Sequence, residues 1–92
     1  MSVVVVSEFL PDAALGLLRT AGHVRFEPDL HARRDALLAA LESAEALVVR
    51  NQTRVDAALL GSAPRLKVVG RVGVGLDNFD LEALQASGVT LT

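Results

Sequence analysis

The chain has 92 residues, 51% apolar and 22% charged, with a net charge of −2 and no cysteine, which suits one globular domain whose core stands without staples. The charge balance argues against a nucleic-acid or anionic-membrane surface, and three phenylalanines without Trp or Tyr argue against a base-stacking platform. Lack of cysteine removes disulfides, thiol nucleophiles and thiolate metal sites; no apolar run nears the about 18 residues of a membrane span, and MSVVVVSEF lacks the basic start of a secretion signal, so a cytoplasmic protein is expected.

Along the chain, short β-branched runs alternate with stretches rich in alanine and leucine. SVVVVS (2–7) is the first strand, and its unbroken apolar run predicts cover on both faces. Residues 11–21 place Ala14, Leu15, Leu17, Leu18 and Ala21 at helical spacing, with Gly22 as C-cap. HVRFE (23–27) is the second strand. A helix over 31–43 carries Leu37, Leu38 and Leu41 on one stripe, with Arg33, Arg34 and Glu42 on the wet face and Asp29 upstream as N-cap. ALVVR (46–50) is the third strand. TRVD (53–56) has the spacing of a capping box, Thr53 with Asp56, and opens a short helix ending near Gly61. Pro64 stops that helix. LKVVGRV (66–72) is the fourth strand. DLEALQASG (80–88) is a helix with Asp80 at its N-cap and Gly88 at its C-cap, and VTLT (89–92) is the last strand.

Strands alternating with helices over short linkers predict an α/β fold. It is a flavodoxin-like, doubly wound parallel sheet of five strands in the order 2-1-3-4-5, with helices on both faces and a single domain over 1–92. Ligands of such sheets sit beyond the carboxyl ends of the strands. That edge holds Ser7–Glu8, Arg50–Thr53 and Arg71–Gly75.

GRVGVGLDNFD (70–80) brings three glycines and an arginine to that edge. A dinucleotide fingerprint needs Gly-x-Gly-x-x-Gly, but after Gly73 and Gly75 the third position is Asn78. A P-loop fails because no Gly-Lys-Ser/Thr occurs. Gly73 and Gly75, without Cβ, allow positive φ and can turn consecutive N–H groups toward a carboxylate or phosphate. Arg71 adds a donor fork, and Arg50 with Asn51, Gln52 and Thr53 ends the neighbouring strand. Together they suit a small anionic organic acid. Spacing alone leaves the plainer alternative open, a tight turn flanked by solvated arginines.

LKVVGRVGVGLDNFDLEALQASGVTLT resembles the signature stretch of the D-isomer-specific 2-hydroxyacid dehydrogenases, in particular the D-3-phosphoglycerate dehydrogenase branch. Its pattern is an apolar strand, Gly-Arg-x-Gly-x-Gly-x-Asp-Asn-x-Asp, a helix, and a strand opening near Gly-Val. ALVVRNQTRV (46–55) resembles the branch's Val-Arg-Ser-x-Thr-x-Val element, with Asn51 where serine is usual. The resemblance implies oxidation of a D-2-hydroxy acid, foremost 3-phosphoglycerate, by hydride transfer to NAD. It implies substrate contacts at Arg50 and Arg71, with Asn51 a weaker candidate. Gly73 and Val74 would offer backbone groups near the substrate carboxylate, and Val74 would lie near the nicotinamide. Asp77 and Asn78 would order the turn. The family's nucleotide-binding domain, its catalytic arginine, glutamate and histidine, and a helix returning from the distant C-terminus have no counterpart in these residues. The expectation is therefore the N-terminal part of a substrate-binding domain that binds no cofactor and carries no catalytic residue.

The other polar groups read more plainly. His23 and His31 are surface residues, Ser7–Glu8 is an ordinary turn in preference to a cleft wall, and Arg33–Arg34 is a solvated face. No set of His, Asp and Glu has metal-ligand spacing, and neither histidine is placed to serve Ser7 as a triad base. A receiver domain would need a phosphorylatable aspartate after the third strand, where Arg50–Asn51 stands. The alternative function is a non-catalytic scaffold or oligomerisation module. Either way a homodimer is expected, because the missing helix leaves a face under-covered and VTLT lies at an open edge.

Overall fold

Four consecutive valines leave the first strand without a wet side, and the fold seats it inside the sheet. The computed structural model describes residues 3–73 and 75–92. Strand β1 (Val3–Val6) lies between β2 (His23–Phe26) and β3 (Ala46–Val49); β4 (Val68–Arg71) and β5 (Thr90–Leu91) follow outward. All pairings are parallel and the order is β2-β1-β3-β4-β5, as the alternation predicted. Val5 sits opposite Arg25 on one side and Leu47 on the other, and Val49 opposite Arg71. This register brings the ends of β1, β3 and β4 to one edge.

The helices are α1 (Asp12–Ala21), α2 (Arg34–Ala40), α3 (Ala57–Gly61) and α4 (Leu81–Ser87), with a 3-10 turn at Leu30–Ala32. Their distribution is uneven. Leu37 of α2, Leu59 of α3 and Leu84 of α4 pack over Val5, Leu47, Val49 and Val69 in one apolar cluster. On the opposite face α1 alone lays Leu15 against Val4 and Val6. Burying a leucine or valine fully stabilises by about 1.5–3 kcal/mol, so most of the core energy lies on the three-helix side. Beyond β1 and β2 the α1 face thins: Ala46, Val48 and Val68 are half-buried and Thr90 is exposed.

Several local expectations change. Leu17 is 74% exposed although it shares the apolar spacing of α1; one helix with nothing above it buries only a narrow stripe. The predicted helix over 31–43 begins at Arg34. Asp29 precedes the 3-10 turn and makes no side-chain cap bond. Thr53 caps nothing: α3 starts at Ala57, and the Asp56 carboxylate accepts from the Leu59 N–H at 3.0 Å. Arg33–Arg34 is no free solvated face. Arg33 bonds Glu27 at 2.6 Å, and Arg34 donates to Asp56 at 2.6 Å and to the Arg54 carbonyl at 2.7 Å. Gly22 does end α1 but with extended φ, which any residue adopts. Asp80 and Gly88 cap α4 as expected, Asp80 accepting from the Ala83 N–H at 3.0 Å and Gly88 at φ +77°.

Candidate functional site

After β3 and β4 the two neighbouring chains separate and rejoin. The last bond before they part runs from the Val72 N–H to the Val49 carbonyl, 2.9 Å. They meet again where Val55 donates to the Asn78 carbonyl and accepts from the Asp80 N–H, both at 2.8 Å, in an isolated parallel bridge between Val55 and Phe79. Between these ties, residues 50–54 stand apart from Gly73 and from residues 75–77. The gap is a cavity of about 290 Å³ lined by Arg50, Asn51, Val72, Gly73, Gly75 and Asp77.

The structure thus brings together Arg50, Asn51 and Gly73, three of the residues singled out from sequence. Arg50 and Asn51 are exposed, so their side chains are available to a ligand. Gly73 has φ +114°, with open space where a Cβ would point; the backbone conformation, not crowding, calls for glycine there. A Cβ at Gly75 would likewise meet open space; the expected left-handed geometry is observed at Gly73. Arg71 ends β4, half-buried, and is not among the residues that line the cavity; it is not without a partner. Val74 lies outside the described residues. Asp77 contributes an acidic group to the wall, which sequence reasoning had assigned to the turn alone.

Beneath the Arg50–Thr53 turn lies Glu8, and sequence reasoning missed it. Glu8 is 2% exposed. Its carboxylate accepts from the backbone N–H groups of Arg50 (2.7 Å), Gln52 (2.9 Å) and Thr53 (2.9 Å). Burial alone pulls its pKa upward, but the Thr53 hydroxyl and these three amides outweigh that and hold the carboxyl below its ordinary range. Ser7 and Thr53, both fully buried, share a hydroxyl hydrogen bond of 2.7 Å. Asn78 completes the turn from the segment that follows β4, donating its amide to the carbonyls of Arg50 (3.1 Å) and Thr53 (2.7 Å). Asn78, expected to order its own turn and the following helix, thus braces the neighbouring Arg50–Thr53 turn instead, and Ser7–Glu8 is more than an ordinary turn. The available signal was an acid two residues beyond an all-apolar strand at the binding edge.

The loop does not suit a dinucleotide pyrophosphate. The third glycine position is filled by Asn78, whose side chain is committed to the neighbouring turn. The following helix end is closed by the Asp80 carboxylate, which repels an anion. Among the described residues no group of His, Asp and Glu could hold a metal ion, and no helix is long and apolar enough to cross a membrane.

Residues 3–92 match the family model for the catalytic domain of D-isomer specific 2-hydroxyacid dehydrogenases. The chain belongs to that family. Among curated members, it is 44% identical over 91 residues to the (S)-sulfolactate dehydrogenase of Chromohalobacter salexigens, covering 99% of this chain and 29% of that one. It is 45% identical over 91 residues to the D-3-phosphoglycerate dehydrogenase of Mycobacterium tuberculosis, covering 97% of this chain and 16% of that one. The TT0316 protein of Thermus thermophilus superposes with a TM-score of 0.88 at 34% identity, over 98% of this chain and 29% of its own. An NAD+-bound 3-phosphoglycerate dehydrogenase from Entamoeba histolytica shares the fold at a TM-score of 0.82 and 18% identity, over 98% of this chain and 32% of its own. The chain thus spans less than a third of the length of these relatives.

Proposed function

We propose that these 92 residues are the substrate-binding portion of an NAD-dependent D-2-hydroxyacid dehydrogenase and that by themselves they transfer no hydride. The observation that carries the reading is the cleft between the β3 and β4 loops, where Arg50, Asn51 and the positive-φ Gly73 face one space. A guanidinium fork recognises a carboxylate or phosphate, and a glycine backbone admits it closely. Arg71, two residues before Gly73, adds positive charge at the same edge. The two relatives at 44% and 45% identity are named for three-carbon 2-hydroxy acids with a second anionic group on the third carbon. That class, with 3-phosphoglycerate foremost, is the proposed substrate. The nicotinamide cofactor is bound outside these residues, since the glycine loop does not suit it.

The test is a nuclear magnetic resonance titration of the 92-residue chain with D-3-phosphoglycerate and with sulfolactate. Amide resonances of Arg50, Asn51 and Gly73 are expected to move, and Arg50→Ala is expected to weaken binding by about 1.5–3 kcal/mol, one charge-assisted contact. Absence of any perturbation at the cleft overturns the reading, and so does NADH formation by the chain alone above a no-protein control.

The alternative of a scaffold or oligomerisation module draws on the half-covered α1 face and the two-residue edge strand β5. We propose that this surface joins two copies as a homodimer, whichever ligand the cleft takes. Light scattering at micromolar concentrations gives a two-chain mass if so and a one-chain mass if not.

A further inference from the structure

An acid-binding cleft gains nothing from a buried carboxylate unless that carboxylate serves the architecture. Glu8 stands two residues beyond the end of β1, and the chain turns it inward while Phe9, next along, stands 60% exposed. Three amides of one turn converge on its two oxygens, Arg50 and Thr53 on Oε2 and Gln52 on Oε1. From the opposite side Asn78 takes the Arg50 and Thr53 carbonyls. The backbone of the turn is thereby committed inward at Arg50, Gln52 and Thr53. What it presents to the cleft is the pair of side chains at Arg50 and Asn51.

We infer that Glu8 is a positioning residue of the cleft: its carboxylate beneath the Arg50–Thr53 turn fixes where Arg50 and Asn51 meet a ligand. It touches no substrate. Without this carboxylate the Arg50, Gln52 and Thr53 N–H groups would be left to water or to the ligand itself, and an anion taken there would sit under Arg50 rather than beside Gly73. Glu8 occupies that place with a charge belonging to the chain and directs an external anion to the Gly73 side. The inference rests on the acid-binding reading, because the geometry it fixes matters only if Arg50 and Asn51 contact a ligand.

The experiment uses the 92-residue chain and Glu8→Gln, which keeps the size but offers one oxygen and turns an NH2 toward the amides. At a temperature where both proteins are folded, the Arg50, Gln52 and Thr53 amide protons are expected to shift upfield in the variant. Backbone order parameters over 50–53 fall from about 0.85 toward about 0.6, while Val5, Leu47 and Val69 keep theirs. D-3-phosphoglycerate binding weakens about tenfold, the loss of one well-placed contact. Unchanged amide shifts and order parameters at the three residues overturn the inference; so does an affinity equal to wild type. If Glu8→Gln does not fold, Glu8→Asp, one methylene shorter with the charge kept, must show the same local loosening in milder degree, and loosening spread evenly over the sheet overturns it. The amide measurements need no ligand. A wild-type chain that binds neither acid therefore defeats the proposed function, while the amide pattern still decides what Glu8 does.

Discussion

The two walls of the cleft are built on opposite principles. The Arg50–Thr53 wall is held by side chains brought from far along the sequence: Glu8 from the end of β1, Asn78 from the opposite loop, and Ser7 on the Thr53 hydroxyl. On the other wall Gly73 and Gly75 are exposed, Gly73 owes its place to backbone conformation at φ +114°, and a Cβ at either glycine would meet open space. One wall is fixed by hydrogen bonds that must all be satisfied and the other by the lack of a Cβ. Contacts on the first are therefore sensitive to deletion, and positions on the second to addition.

The largest effect expected from that contrast is at Glu8. Glu8→Ala leaves three amides without their acceptor and should lower stability by about 3 kcal/mol in urea denaturation. A loss below about 1 kcal/mol would mean that water replaces the carboxylate freely. Thr53→Val comes next. It keeps the shape but strands the buried Ser7 hydroxyl and removes a donor from Glu8, for about 2 kcal/mol; equal stability would show that the Ser7–Thr53 bond is dispensable. On the opposite wall, Gly73→Val forces a branched residue into positive φ and should cost about 1–2 kcal/mol, with ligand binding lost in the same variant. Gly75→Ala meets no neighbour where its Cβ would stand, so its stability should stay within about 0.5 kcal/mol of wild type. If both glycine variants behave alike, the distinction between them fails.

Acid sharpens the comparison without changing a residue. The Glu8 carboxyl is held below its ordinary value near 4.5 in the folded state. A depressed folded pKa contributes stability that is present above the unfolded value and is lost as pH falls through the folded one. Thermal melts of wild type should therefore decline below pH about 4.5, and Glu8→Gln should decline less steeply. Asp56 and Glu27 are lowered too and keep some slope in the variant. Parallel curves would place Glu8 outside the acid response.

Most of the architecture was legible in the chain itself. VVVV can only be an interior strand, Asp80 and Gly88 bracket α4 by local chemistry, and the strand–helix alternation fixes a parallel sheet whose order puts residues 50–53 and 71–73 on one edge. The positive φ of Gly73 was likewise readable, because glycine after a strand at a binding edge is a local matter. What tertiary structure alone decided is which polar side chains turn inward. Thr53 and Asp56 have capping-box spacing, yet Thr53 faces Ser7, 46 positions away, and the cap falls to Asp56. Leu17 has the spacing of a core residue and stays in solvent because α1 has no helix above it. Glu8 looked like turn chemistry; its three partners lie at least 42 residues downstream, and nothing local records them. Periodicity and caps act within a few residues and so are written in sequence, whereas a buried carboxylate is explained by the distant amides that folding delivers to it.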